Sequence, residues 1–152
     1  SHLETISISS TAALKIDLDQ SFGHNSCATL KTLQLLDTNS NGWTGSLASL
    51  GCYNLNVLHI ASPSRVSGNF HDLNLPDMRS LAVAGEAVTG TLDDLASAQK
   101  LHHLDLTSNA LTGNTSSLVH LVDLNHLTLN DKVTKTNDMP NACGTITIVD
   151  ST

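Results

Sequence analysis

Two histidines and an aspartate raise the first chemical question. His103 and Asp105 stand at alternate positions, which puts them on one face of any extended segment. His126 follows further along the chain. One carboxylate and two imidazoles form a set that can ligate zinc. They serve equally as hydrogen-bonded surface groups, and no fourth ligand accompanies them, so we read them as surface residues. The chain carries no GxSxG nucleophile motif, no HExxH pair and no phosphate-cradling glycine loop. The expectation is a protein without catalytic residues, metal or cofactor.

What positions these residues is an internal repeat. A pattern LxxLxL recurs, followed by an apolar residue, then Thr or Ser, then Gly. Leu101, Leu104, Leu106, Asn109, Leu111, Thr112 and Gly113 fit it. So do Met78, Leu81, Val83, Val88, Thr89 and Gly90, and before them Leu55, Leu58, Ile60, Val66, Ser67 and Gly68. Leu30, Leu33, Leu35, Trp43, Thr44 and Gly45 form an earlier copy. Leu124, Leu127, Leu129, Val133 and Thr134 form a later one, in which Lys135 replaces the glycine. The copies open at Leu30, Leu55, Met78, Leu101 and Leu124, a nearly constant interval that also relates His103 to His126. Ahead of each copy, at one fixed offset, stand Cys27, Cys52, Leu75, Ala98 and Leu121. Residues recurring at one phase make a buried column, each unit burying its neighbour's apolar residues.

Length and composition agree with a single domain. The chain has 152 residues, with 25 Leu, 17 Thr, 18 Ser and 13 Asn but only 14% charged residues. No apolar run is long enough to span a membrane, so membrane insertion is not expected. Fourteen acidic against seven basic side chains give a formal charge of −7, which disfavours nucleic acid or anionic lipid as partner. Cys27 and Cys52, at matching sites one unit apart, suit either a disulfide or two buried thiols; Cys143 reads as core.

The segment LDLTSNALTG resembles the leucine-rich repeat family, in its LTG-containing subclass known from plant extracellular proteins and also found in bacteria and protists. The resemblance runs over residues 27–135. It implies an α/β, right-handed solenoid with a parallel sheet on the concave face and short 3₁₀ or extended pieces on the convex side. Residues 1–26 are then an N-terminal cap or irregular repeat, and 136–152 a C-terminal cap strand. Of the family's asparagine column only Asn109 is present, with Thr38, Pro63, Glu86 and Lys132 at the matching offset. Near the N-terminus, Leu3, Ile6 and Ile8 match LxxLxL, and Ala13, Ile16 and Leu18 match it again too soon for a full unit. One of the two is expected to be a capping strand or half of a hairpin.

Residues between the inward leucines project from the sheet in three columns. These are Thr32, Val57, Ser80, His103, His126; then Gln34, His59, Ala82, Asp105, Thr128; then Leu36, Ala61, Ala84, Thr107, Asn130. The resemblance implies that this face binds a protein or peptide, and His59, His103, Asp105, Thr107, His126 and Asn130 are the expected contact residues. It also implies an extracellular or cell-surface location. A second surface is the ladder at the turns, including Thr44, Ser46, Thr89, Thr91, Thr112 and Asn114, a lattice of small polar groups able to dock on ice or a glycan. A plain structural spacer is the third reading.

Overall fold

The computed structural model describes residues 3–9, 15–22, 29–36, 43–51, 54–61, 65–85, 87–106, 109–130, 133–134 and 145–149. Its elements recur in the same order along the chain. The first unit holds β1 (Thr5–Ile8), β2 (Ile16–Asp17) and a short helix α1 (Leu18–Phe22). The next has β3 (Thr32–Leu35), β4 (Trp43–Thr44) and a 3₁₀ turn over Leu47–Leu50. Then come β5 (Val57–Ile60), β6 (Ser67–Asn69) and a 3₁₀ turn at Phe70–Asp72. After these follow β7 (Ser80–Val83), β8 (Ala87–Thr89) and a 3₁₀ turn at Leu92–Leu95. The fifth unit has β9 (His103–Leu106), β10 (Gly113–Asn114) and a 3₁₀ turn at Thr115–Leu118. β11 (His126–Asn130), β12 (Val133–Thr134) and β13 (Thr145–Val149) close the series.

The first strand of each unit joins one open, parallel, seven-stranded sheet in the order β1-β3-β5-β7-β9-β11-β13. Parallel neighbours require the chain to travel round between strands, and the repeat length supplies that path. Register follows the leucine phase. Leu33 pairs with Leu58, Leu58 with Leu81, Leu81 with Leu104, and Leu104 with Leu127. The alternating residues of β3, β5, β7 and β9 are buried and half-buried in turn. The expected terminal strand around Ile146 and Ile148 is β13, which pairs in parallel with β11.

Halfway round each unit a second parallel line forms from the pairs β2-β4, β6-β8 and β10-β12. Single bridges from Ser46 to Ser67 and from Thr91 to Thr112 join these pairs. The core lies between the two lines. Leu33, Leu58, Leu81, Leu104 and Leu127 fill it from the sheet, and Trp43, Val66, Val88 and Leu111 from the second line, each with no exposed surface. Leu47, Phe70, Leu92 and Thr115, just beyond the turn, are equally buried. Burying one such leucine fully contributes about 1.5–3 kcal/mol, and no unit has enough of them to fold alone.

The glycine that follows Thr or Ser has two physical reasons to be there. Gly113 adopts φ +115°, which L side chains rarely adopt, and a Cβ on it would sit 2.9 Å from the Leu92 backbone nitrogen. Gly45 repeats this at φ +97°, with a Cβ 2.8 Å from the backbone nitrogen of Leu18. The chain of one unit therefore lies directly on the turn of the next.

The hairpin half of the expectation for residues 1–26 needs correction, while β1 does stand at the edge of the sheet, where a capping strand would. β1 is an ordinary parallel strand of the sheet, beside β3, with Ile6 next to Leu33. β2 is no second sheet strand. It opens the second line, with Ile16 beside Trp43 and Asp17 beside Thr44. The short spacing suffices because the chain covers only half a unit between Ile6 and Ile16. No helix among the described residues is long and apolar enough to cross a membrane.

Candidate functional site

The outward positions of the sheet form two rows. One runs Thr5, Thr32, Val57, Ser80, His103, His126, and the other Ser7, Gln34, His59, Ala82, Asp105, Thr128. Strand alternation puts them on the side away from the core, and residues 32, 34, 57, 59, 80, 82, 103, 105, 126 and 128 are each half-buried.

Three imidazoles gather here. His103 and His126 lie on adjacent strands and stack, with ring centroids 4.4 Å apart and planes 6° from parallel. His59 sits two strands away from His103, yet their rings are 6.1 Å apart and tilted by 53°. The strand between them, β7, offers only Ser80 and Ala82 on this face, so both rings lean over it.

Hydrogen bonds run across the strands toward this cluster. The Ser7 hydroxyl donates to Gln34 Oε1 at 3.2 Å. Gln34 Nε2 then donates to His59 Nδ1 at 3.4 Å, and His59 Nε2 meets the Ser80 hydroxyl at 2.7 Å. An amide nitrogen has only hydrogens to offer, so His59 Nδ1 accepts and its proton sits on Nε2. On β11, His126 Nε2 lies 3.0 Å from Thr128 Oγ1.

Electrostatics favour the neutral form of His59 and His103. Loss of solvent holds His59 below the ordinary histidine value, and the Asp105 carboxylate opposes that shift. His103 is also lowered, by loss of solvent first, then by the charges His126 and His59 would carry, with Asp105 again opposing. The zinc reading of His103, Asp105 and His126 meets a geometric obstacle. A metal lies in the plane of each ring that ligates it, and two stacked, near-parallel rings share no such point. Among the described residues no group of three or more His, Cys, Asp or Glu side chains is placed to hold a metal ion.

Asn130, expected as a contact residue, is buried at 1% exposure and must be removed from the face. Its Nδ2 donates to the carbonyls of Leu106 and Asn109, each at 3.1 Å, and to Asn109 Oδ1 at 3.3 Å. Asn109 in turn donates to the Val83 carbonyl at 3.0 Å and accepts from the Leu111 amide at 3.2 Å. Asparagine thus recurs on consecutive units, at a slightly earlier offset in the later one. A side chain with two donors and an acceptor is what a turning backbone with unpaired groups requires, and that need was the signal missed in the sequence. Ala84 of the same column is buried as well. The column is outward only at its start, where Leu36 is exposed and Ala61 half-buried. Thr107, Cys27, Cys52 and Cys143 lie outside the described residues.

The turn ladder has a local explanation. Ser46, Asn69 and Asn114 accept from the amide two positions on and cap the 3₁₀ turns that follow. The Thr91 amide donates to Asp94 Oδ2 at 2.8 Å, as part of a capping box. In the other column, Thr44, Ser67, Thr89 and Thr112 hydroxyls donate to the carbonyls of Ile16, Gly45, Gly68 and Gly90 in the preceding unit. The contacts are long, 3.4–3.5 Å. No protein-family model, curated protein or solved structure matches this chain.

Proposed function

We propose that the chain is a right-handed solenoid of the leucine-rich repeat kind, acting as a non-enzymatic recognition module that binds a protein or peptide on the outward face of its sheet. The observation that carries this reading is the pair of in-register rows running across β3 to β11, with His59, His103 and His126 clustered on them. Side chains fixed on a rigid sheet lose little freedom on binding, which favours affinity. Clustered imidazoles supply flat apolar area together with hydrogen-bonding edges. The leucine-rich repeat resemblance carries with it an extracellular or cell-surface location.

The turn ladder gives weaker support to an ice or glycan surface, because its second column serves as caps. Selection of binders from a random-peptide library tests the reading. Binders whose affinity falls at least tenfold in the double variant His103→Ala/His126→Ala, but not in Thr89→Ala/Thr112→Ala, support it. Binders indifferent to the histidines, or lost with the threonines, overturn it.

A further inference from the structure

We propose that the partner of the outward face is an acidic peptide segment, anchored on the imidazole cluster of His59, His103 and His126. This rests on the recognition reading above and adds the chemistry of the partner. The chain as a whole has a net charge of −7, so a surface short of carboxylates stands out. The titratable side chains on the outward rows of the described strands are three histidines against one carboxylate, Asp105. β3 contributes Gln34 and Thr32 to the face, β5 Val57, β7 Ser80 and Ala82, and β11 Thr128, all uncharged.

The leading ends of the strands continue this bias. Lys31, Arg79 and His102 stand immediately ahead of β3, β7 and β9, against Glu4 ahead of β1. Nearby, Asp77 is engaged by Lys100 at 2.8 Å and also attracts Lys31 and Arg79, and Asp123 lies shortly before β11. A carboxylate-rich strand laid across the rows would meet hydrogen-bond donors from His103 and His126, with Lys31 and Arg79 at its flank.

The cluster also makes such binding proton-dependent. Rings 4.4 and 6.1 Å apart repel one another once charged, and Asp105 alone cannot neutralise three cations. A bound carboxylate supplies the missing negative charge, so peptide binding and proton uptake assist each other. Glutamate side chains remain ionised at pH 5.5, since their ordinary value is about 4.3.

Hexaglutamate is the probe, with hexaglutamine as the uncharged control, in titrations of the folded full chain at pH 7.5 and 5.5. The expected result is hexaglutamate binding at least tenfold tighter at pH 5.5, no hexaglutamine binding, and loss of that gain in His103→Gln/His126→Gln. His120→Gln, at a histidine outside the strands, keeps the gain. Unaltered Trp43 emission verifies that each variant is folded. Hexaglutamate that fails to bind at pH 5.5, or binds equally at both pH values, overturns the proposal. A neutral or basic library peptide that needs His103 and His126 would then leave the recognition reading standing while the acidic partner falls. Absence of both kinds of ligand removes both.

Discussion

His103 and His126 stack face to face on neighbouring strands, with ring centroids 4.4 Å apart and planes only 6° from parallel. Two neutral imidazoles tolerate that arrangement and two cations do not. The pH response of the fold follows. His59 and His103 are both held below the ordinary value of 6.5, chiefly by loss of solvent. In the unfolded chain they take up protons near that value. Their stabilising contribution is therefore complete above it and lost as the pH falls toward the lowered folded values. Asp19 and Asp77 are lowered from 3.8, Asp19 chiefly by a hydrogen bond from Ser49 and Asp77 by one from Lys100. Their contribution is lost only in stronger acid. Urea midpoints followed by Trp43, the single tryptophan, should drop between pH 7.5 and 5.5. His103→Gln should shrink that drop; a midpoint that rises in acid contradicts the account.

Protonation has a local signature as well. A second proton on His59 would face the Gln34 amide donor 3.4 Å away, so the carboxamide must turn over to present its oxygen. Nitrogen NMR of the imidazoles at neutral pH should show the His59 proton on Nε2. A proton found on Nδ1 refutes the hydrogen-bond assignment.

Leu104 sits inside the sheet, between Leu81 and Leu127, with no exposed surface. Leu104→Ala is expected to lower stability by about 2–5 kcal/mol, and Leu104→Met by under about 1.5 kcal/mol. Denaturant titration measures both. Equal losses would mean that the shared interior is not packed as described.

Gly113→Ala combines an unfavourable φ with a contact to the Leu92 backbone nitrogen. A stability loss above about 1 kcal/mol is expected. Thermal melts compared with Ala110→Gly, at a half-buried position before the turn, check whether the site or merely the residue type matters.

Asn130→Ala should reduce stability by about 1–3 kcal/mol, because the Leu106 and Asn109 carbonyls lose their donor. Peptide affinity for the outward face should stay within about twofold once the variant is folded. A large affinity loss with stability intact would return Asn130 to the binding face.

Much of the framework was legible because leucine spacing is a packing constraint. Leu33, Leu58, Leu81, Leu104 and Leu127 had to share one phase, and strand pairing keeps them adjacent. The third outward column was misread at Ala84 and Asn130, which are buried although Leu36 at its start is exposed. Backbone needs take over at Asn130, whose side chain answers them. The N-terminal unit was misread for a related reason: Ile16 and Leu18 look like strand leucines, but Ile16 pairs with Trp43 in the second line and Leu18 opens α1 against Gly45. The threonine ladder drew attention for its regularity, whereas capping accounts for its second column locally.

The shared register of β5, β7 and β9 makes the molecule divisible at defined seams. The segment 78–100 begins and ends at equivalent points of the path, since Met78 and Leu101 open successive copies. Excising it would set Leu104 beside Leu58 and Asp105 beside His59, a splice that shortens the array while keeping the leucine register. Evolution, or an engineer, can thus edit the order of surface letters by whole lines while the spine of the page stays bound.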